Sequence, residues 1–532
     1  MGAGELLALV KTLLVEVGRL REENEALRED LKARKVESQA LKDEIARLKG
    51  LPPRPPPQSS GMEKATDRSS ARADDDPAPP PRRRGPTDWR SRIDRTIVVK
   101  AEAPEGSRFK GYEEIVVQDL MTRVETTLYR RERWVLPDGS TLIAPLAVKA
   151  VGGVGPHLHR LVLALHFQGQ VTCERIVALL TGLGAPLSKR QVVRLLTAKL
   201  SLFHDEDERV LRAGLARSPF VTVDDTGARH AGKACYTLHV GSDRFANFRT
   251  GVGKSRLSFL SRLAGAQGPY VVDDVALGYM REAGMDQALV QAFAEPPVPI
   301  PPQIFPSREA WTAHLRALGL NATRAGASAA RTASEAVLWA ALQARGLLHR
   351  AVIVSDEAGQ FRVGDHALCW VHAERLLYKL VPANDLQRNA LEVARRMIWW
   401  LYRRLKDYKR DPCPNKAENL RAAFERIFNR RTRYAGLDHL LKRLLARKHE
   451  LLRVLGRPEI PLNTNASEND IRAFVTKRKV SGGTVSQNGR LARDAMLGLA
   501  KTCAKLKIPF FDYLGSRLGI QGPQIPDLAE LV

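Results

Sequence analysis

Three acidic positions carry the residue types and surroundings that phosphoryl transfer needs. At 221–226 the chain reads VTVDDT, a short β-branched run ending in Asp224 and Asp225. A second apolar run, RAVIVSDEAGQ, ends in Asp356, and a third carboxylate, Glu468, opens a helix within PLNTNASENDIRAFVTKRKVSGG. Two acids at strand ends plus one on a helix form an arrangement that can hold two Mg²⁺ ions. Such a pair activates an oxygen nucleophile and stabilises the leaving oxygen during in-line displacement at phosphorus. Carboxylate oxygens are hard donors, which suits Mg²⁺ or Mn²⁺ rather than zinc. A single strand-end aspartate is more often a turn or a helix cap, so the acids by themselves leave the chemistry open. Asp225 is read as a supporting or capping group outside the triad.

The wording around the acids narrows the choice. HALCWVHAER follows Asp356, Asn469 and Arg472 continue the helix of Glu468, and LAKTCAKLKIPFFDYLGSRL closes the chain with helices. Together with VDDT, these segments resemble the insertion-sequence 66 family of bacterial DDE transposases over roughly residues 155 to 520. The resemblance implies an RNase H-like fold, a mixed sheet flanked by helices. It also implies that Asp224, Asp356 and Glu468 ligate two Mg²⁺ (or Mn²⁺) ions, and that the chemistry is cut-and-join at transposon ends. Two departures stand out. Residues 51–155 contain no Cys/His quartet, so the zinc module that many relatives carry is not expected. The first two acids are 356 − 224 = 132 residues apart, and an extra stretch, PPVPIPPQIFPSREAWTAHLRALGL, lies between them. That stretch makes Asp274, in YVVDDVALGYM, a rival for the second acid; Asp356 is preferred because SDEAG leads directly into HALCWVHAER. Cys369 and His372 supply only two ligands and are read as core beside the site.

The balance of charge points to the same substrate. With 84 Lys+Arg against 59 Asp+Glu the chain carries +25, and its pI is near 10.1. A polyanionic partner is expected, nucleic acid above all; the resemblance implies double-stranded DNA, as transposon end repeats and target. Within CERIVALLTGLGAPLSKRQVVRLLTAKL a helix, a Gly-containing turn, Ser188 as N-cap and a second basic helix give helix-turn-helix grammar, with Lys189, Arg190 and Arg194 placed to face a groove. Helical pairs of this kind also occur in proteins that never meet DNA. Between 395 and 447 the chain is helical and very basic, and Trp399, Trp400 and Tyr402 interleave with Arg403 and Arg404. The tryptophans are read as core and the two arginines as phosphate contacts. Arg472, Lys477, Arg478 and Lys479, close to Glu468 in sequence, are expected to grip substrate phosphates.

These residues must be positioned by a chain of several domains, since single cores stop growing near ~250–300 residues. Residues 5–50 read as a leucine zipper, with Leu13, Leu20, Leu27, Leu41 and Leu48 on the seam and Asn24 as a polar register pin. Acids at g (Glu16, Glu23, Asp30, Glu37, Glu44) each precede a base at e by five residues (Arg21, Arg28, Lys35, Lys42, Lys49), the spacing of ion pairs between parallel chains. A homodimer is expected. Residues 51–92 are proline-rich and charge-mixed, a disordered linker; 93–150 alternate apolar and polar, a small β-rich module; 155–218 are the helical DNA-binding module. The catalytic domain is read over 219–376 and 461–500, interrupted by a basic helical insertion at 377–460 and followed by a helical tail at 501–532. The fold class is therefore α/β. Five scattered cysteines without a CxxC pair suit a reducing cytosol, the N-terminus lacks signal-peptide character, and no apolar run is long enough to span a membrane. A cytoplasmic, nucleoid-associated location is expected. Two other functions remain open from sequence: a non-catalytic zipper and helix-turn-helix regulator, which would have no need of Asp356 or Glu468, and an RNase H-like nuclease that does not join strands.

Overall fold

The computed structural model describes Arg19, Met62 and residues 93–532 except 121, 147, 266–269, 296–302 and 321–323. Apart from Arg19 and Met62, the zipper and the linker up to residue 92 lie outside the described residues. In chain order the elements are β1 (Arg133–Val135), β2 (Thr141–Ile143), α1 (Pro156–Leu163), α2 (Cys173–Gly182), α3 (Lys189–Thr197) and α4 (Leu200–Arg217). There follow β3 (Phe220–His230), β4 (Lys233–Gly241), β5 (Ala246–Gly251), α5 (Arg256–Ala264), β6 (Tyr270–Val272), α6 (Asp274–Glu282) and α7 (Gln287–Ala294). Next come β7 (Gln303–Phe305), α8 (Arg308–Ala317), α9 (Arg324–Ala344), β8 (Val352–Ser355), β9 (His366–Leu368), α10 (Trp370–Tyr378) and α11 (Asp385–Arg410). The chain ends with α12 (Pro414–Phe428), α13 (Ala435–Leu445), α14 (Lys448–Leu451), α15 (Asn465–Ser481), α16 (Gln487–Lys505), α17 (Phe510–Leu518) and α18 (Leu528–Leu531). No described helix is long and apolar enough to cross a membrane.

A five-stranded mixed sheet has the order β5-β4-β3-β8-β9. β4 and β5 are antiparallel, whereas β8 runs parallel to both β3 and β9. Every residue of β8 (VIVS) is buried, as a parallel strand covered on both faces requires. The chain divides into two compact units, one of residues 1–67, 219–223 and 350–465, the other of 68–218, 224–349 and 466–532.

In the first unit, α10 to α14 enclose an apolar core around Trp370, Ile398, Tyr402, Phe424 and Leu441. The indole of Trp370 donates to the Leu451 carbonyl at 2.9 Å. This helical core is continuous with Val352 and Val354 of β8.

In the second unit α16 packs on β5 and α4. Asp494 accepts from the amide (2.8 Å) and hydroxyl (2.9 Å) of Thr250. Residues read as a tail are integral here. The fully buried Glu206 of α4 accepts from Tyr513, Arg517 and the Leu528 amide, and α16 runs unbroken through the boundary read at 500. Residues 270–341 form a separate core, with Trp311 stacked on Tyr270 and Phe293 at 6.0 Å each. This second insertion was visible in the sequence only as an unusually long gap.

The module read over 93–150 departs from expectation. Its described residues form one hairpin, β1 against β2, while Val98, Val117, Trp134 and Leu142 among others stay exposed. Alternation alone does not bury a face, and among the described residues the two three-residue strands have no third strand in their sheet and stay exposed throughout.

Candidate active site

Asp224 lies on β3, half-buried, and its carboxylate accepts the Asp225 amide at 2.7 Å. Asp225 carries an ion pair to Lys254 at 2.8 Å. In the β3–β8 ladder Thr222 pairs with Val354, and each strand's acid, Asp224 or Asp356, follows that pair by two residues. Asp356 is half-buried, and its Oδ1 accepts the Ala358 amide at 3.0 Å, an Asx turn that restrains the carboxylate. Asp274 sits elsewhere. Asp273 caps α6 by accepting the Ala276 amide, Asp274 follows in the first turn, and the preceding strand, β6, pairs with β7 rather than with the main sheet.

Glu468 occupies the first turn of α15, and three ties fix this helix. At its start Asn463 accepts the Asn465 amide at 3.0 Å and donates to the Tyr402 hydroxyl at 3.0 Å. Along its length the buried Asp470 lies 3.3 Å from His239 of β4 and 3.0 Å from Lys505 of α16. Burial would raise the Asp470 carboxyl, but His239 and Lys505 outweigh it and bring it down to about 2. At its end Gly482, at φ +70°, turns the chain, and Thr484 forms a parallel bridge with His230 of β3. Gly483 approaches so closely that a Cβ there would meet the Arg229 carbonyl at 2.7 Å. The glycine pair thus ties the helix of Glu468 to the strand of Asp224.

The basic residues divide by exposure. Lys189, Arg190 and Arg194 are exposed on α3, whose capping box joins Ser188 and Gln191; Lys189 pairs with Glu174 at 2.5 Å. Arg403 and Arg404 are exposed on α11, Arg472 and Lys479 on α15, and Arg478 is half-buried. Lys477 is different: only 5% exposed, it donates to the His166 carbonyl at 2.8 Å. Of the aromatics, Tyr402 is fully buried and the Trp399 indole donates to the buried Glu374 at 3.2 Å. Trp400 departs from the core reading. It is 39% exposed with the Arg404 guanidinium 5.9 Å from its ring, because helical spacing turns Ile398, Leu401 and Leu405 inward instead. Cys369 is buried; burial pushes its thiol up, but His372 and Thr464 outweigh that and hold it below its ordinary value.

Among the described residues, no group of three or more His, Cys, Asp or Glu gathers as a metal cage. Mg²⁺ seldom uses one; it takes one or two carboxylates and completes its shell with water and substrate phosphate oxygens. Asp224, Asp356 and Glu468 are hard oxygen donors of the type Mg²⁺ takes, although among the described residues they do not gather into such a group. Sequence reasoning missed Lys254, Asp470 and Gly483. Their signals were a lysine in a Gly-flanked loop, an acid two residues past Glu468, and a glycine pair without an assigned contact.

Residues 334–491, which contain Asp356 and Glu468 but neither Asp224 nor Asp274, match the family described as Transposase IS66 family. A protein of Sinorhizobium fredii (strain NBRC 101917 / NGR234) called "Uncharacterized protein y4jO" is 50% identical over 323 residues, 61% of this chain and 99% of that protein.

Proposed function

The chain belongs to the IS66 family of transposases, and from that premise we propose that it cuts DNA at transposon ends and joins the freed ends to target DNA. The observation that carries the reading is the parallel β3–β8 register, with an acid two residues beyond it, within β3 and just past the end of β8, together with Glu468 in the first turn of a helix tied to β3. The placement of Asp274 in the first turn of α6, behind a strand that pairs with β7 rather than with the main sheet, supports Asp356 as the second acid.

Asp224, Asp356 and Glu468 would hold two divalent cations. When bound, these ions supply Lewis-acid stabilisation for the attacking and leaving oxygens. Arg472, Arg478 and Lys479 grip the phosphates flanking the scissile bond, as guanidinium and ammonium groups beside a carboxylate site do. In the first step a water oxygen forms a bond to phosphorus, and the bond to the 3′ oxygen breaks. In the second, that 3′-OH attacks a target phosphodiester and the target strand's 3′ oxygen leaves. The exposed cations of α3 and α11 track the duplex backbone. Residues 5–50 pair two copies, so that two ends are brought together.

Substitution of the acids tests this. With DNA carrying the element's own ends, Asp224→Asn, Asp356→Asn and Glu468→Gln are each expected to abolish Mg²⁺-dependent cleavage while leaving DNA binding intact. Asp274→Asn should cleave like the parent. If all four variants cleave normally, the catalytic reading fails; if only Asp274→Asn is dead, the second acid is misassigned.

A further inference from the structure

A connected set of hydrogen bonds lies behind Asp356. Ser355, the last residue of β8, is fully buried, and its hydroxyl donates to the Asp356 carbonyl at 2.7 Å. The same hydroxyl stands 2.8 Å from Nε2 of His366 on β9. Nδ1 of His366 stands 3.1 Å from Oε1 of Glu450 on α14. Glu450 is held in turn by Arg447 at 3.0 Å and Arg362 at 3.1 Å. Burial would raise its carboxyl, but His366, Arg447 and Arg362 outweigh that and keep it low, so it is a charged acceptor. A carboxylate only accepts, so the ring nitrogen facing Glu450 must donate, and the imidazole is fixed in orientation with Nε2 toward Ser355. A second link runs alongside, from Arg443 of α13 to Glu357 at 2.9 Å, one residue beyond Asp356.

A Ser-His-Glu series of this geometry also suggests a nucleophile, and burial excludes it. Ser355 has no exposed surface and its hydroxyl is engaged on both sides, so no substrate atom can approach it. We infer that Glu450, His366 and Ser355 are positioning residues for Asp356, through which the helical insertion sets the orientation of a metal-ligating carboxylate. This rests on the reading of Asp356 as a ligand. It gives the insertion a role at the chemical centre beyond any contact with DNA, since α14 supplies the outermost carboxylate. Groups that orient a ligand from behind typically govern metal affinity by ~10–100-fold.

The test uses the full-length protein with MnCl₂ alone as probe, Mn²⁺ binding being followed by electron paramagnetic resonance. Glu450→Ala and His366→Phe are expected to weaken Mn²⁺ binding about tenfold, with DNA affinity unchanged. Glu450→Gln keeps an acceptor for the imidazole and is expected to restore most of the loss, whereas Glu450→Leu, of similar size but without an acceptor, is expected to bind as weakly as Glu450→Ala; rescue by leucine would reduce the role to packing and overturn the relay. Should His366→Phe fold poorly, the Glu450 variants carry the test. Asp356→Asn serves as reference and should lose Mn²⁺. If Asp356→Asn is defective but Glu450→Ala binds Mn²⁺ like the parent, or if Glu450→Gln is as impaired as Glu450→Ala, the relay is wrong and the catalytic reading stands. If Asp356→Asn itself binds Mn²⁺ normally, both fall.

Discussion

Lys477 shows how one side chain can have the type a site needs and yet serve the fold. Its neighbours Arg478 and Lys479 remain at least partly exposed, but helical geometry turns Lys477 inward against His166, where burial lowers its ammonium to about 8 and the His166 imidazole to about 4. The unfolded chain holds that lysine proton more tightly, at the ordinary value of 10.5, so folding carries a penalty below pH 8 that fades as pH rises from about 8 to 10.5. Relative to Lys477→Met, which lacks the titration, the parent should therefore gain thermal stability between pH about 7 and about 10. Melting curves of both proteins check this; an unchanged difference refutes it. The three acids were legible because each sits in a distinctive string. The contacts that build the surrounding fold were not, because their partners are remote in sequence: His366 and Glu450 are 84 residues apart, and Asp207, which accepts from Arg249, is 42 away from it.

Among the elements, α15 matters most, since its orientation decides where Glu468 points. The motif around it is readable as a string, yet only the fold shows why two glycines follow. Gly482 supplies a left-handed turn, and Gly483 lets the chain come against β3. Gly483→Ala is expected to cost about 1–3 kcal/mol from overpacking and to reduce cleavage further than that loss explains, because the bridge to His230 opens. Gly182→Ala, where a Cβ meets nothing within 4 Å, is the matched control and should be neutral. Circular dichroism melts with cleavage assays on both variants decide it; equal behaviour would show that the close approach is unimportant. The same comparison explains the misread hairpin. Polar–apolar alternation announces a strand, but only a facing layer makes one, and 93–150 contains no such layer among its described residues.

For the whole molecule the governing quantity is its +25 charge. Engagement of even six phosphates should lower DNA affinity on the order of a thousandfold between low and moderate salt, as counterions are released. Gel-shift titration across a salt series tests that, and a flat response would contradict it. Deleting residues 1–50 should weaken joint binding of two DNA ends far more than binding of one, since the zipper is proposed to act by pairing copies. The insertion between β5 and β8 has one more consequence, this time kinetic. The ladder that aligns Thr222 with Val354 joins residues 354 − 222 = 132 positions apart, a slow encounter for an open chain. Residues 270–341 have a core of their own and can collapse early on local contacts. Once collapsed they roughly halve the free length between the strands, which removes about 0.6 kcal/mol of closure entropy, roughly a threefold gain in how often β8 meets β3. The inserted segment thus acts as a splint during folding, shortening the search that places β3 and β8 side by side.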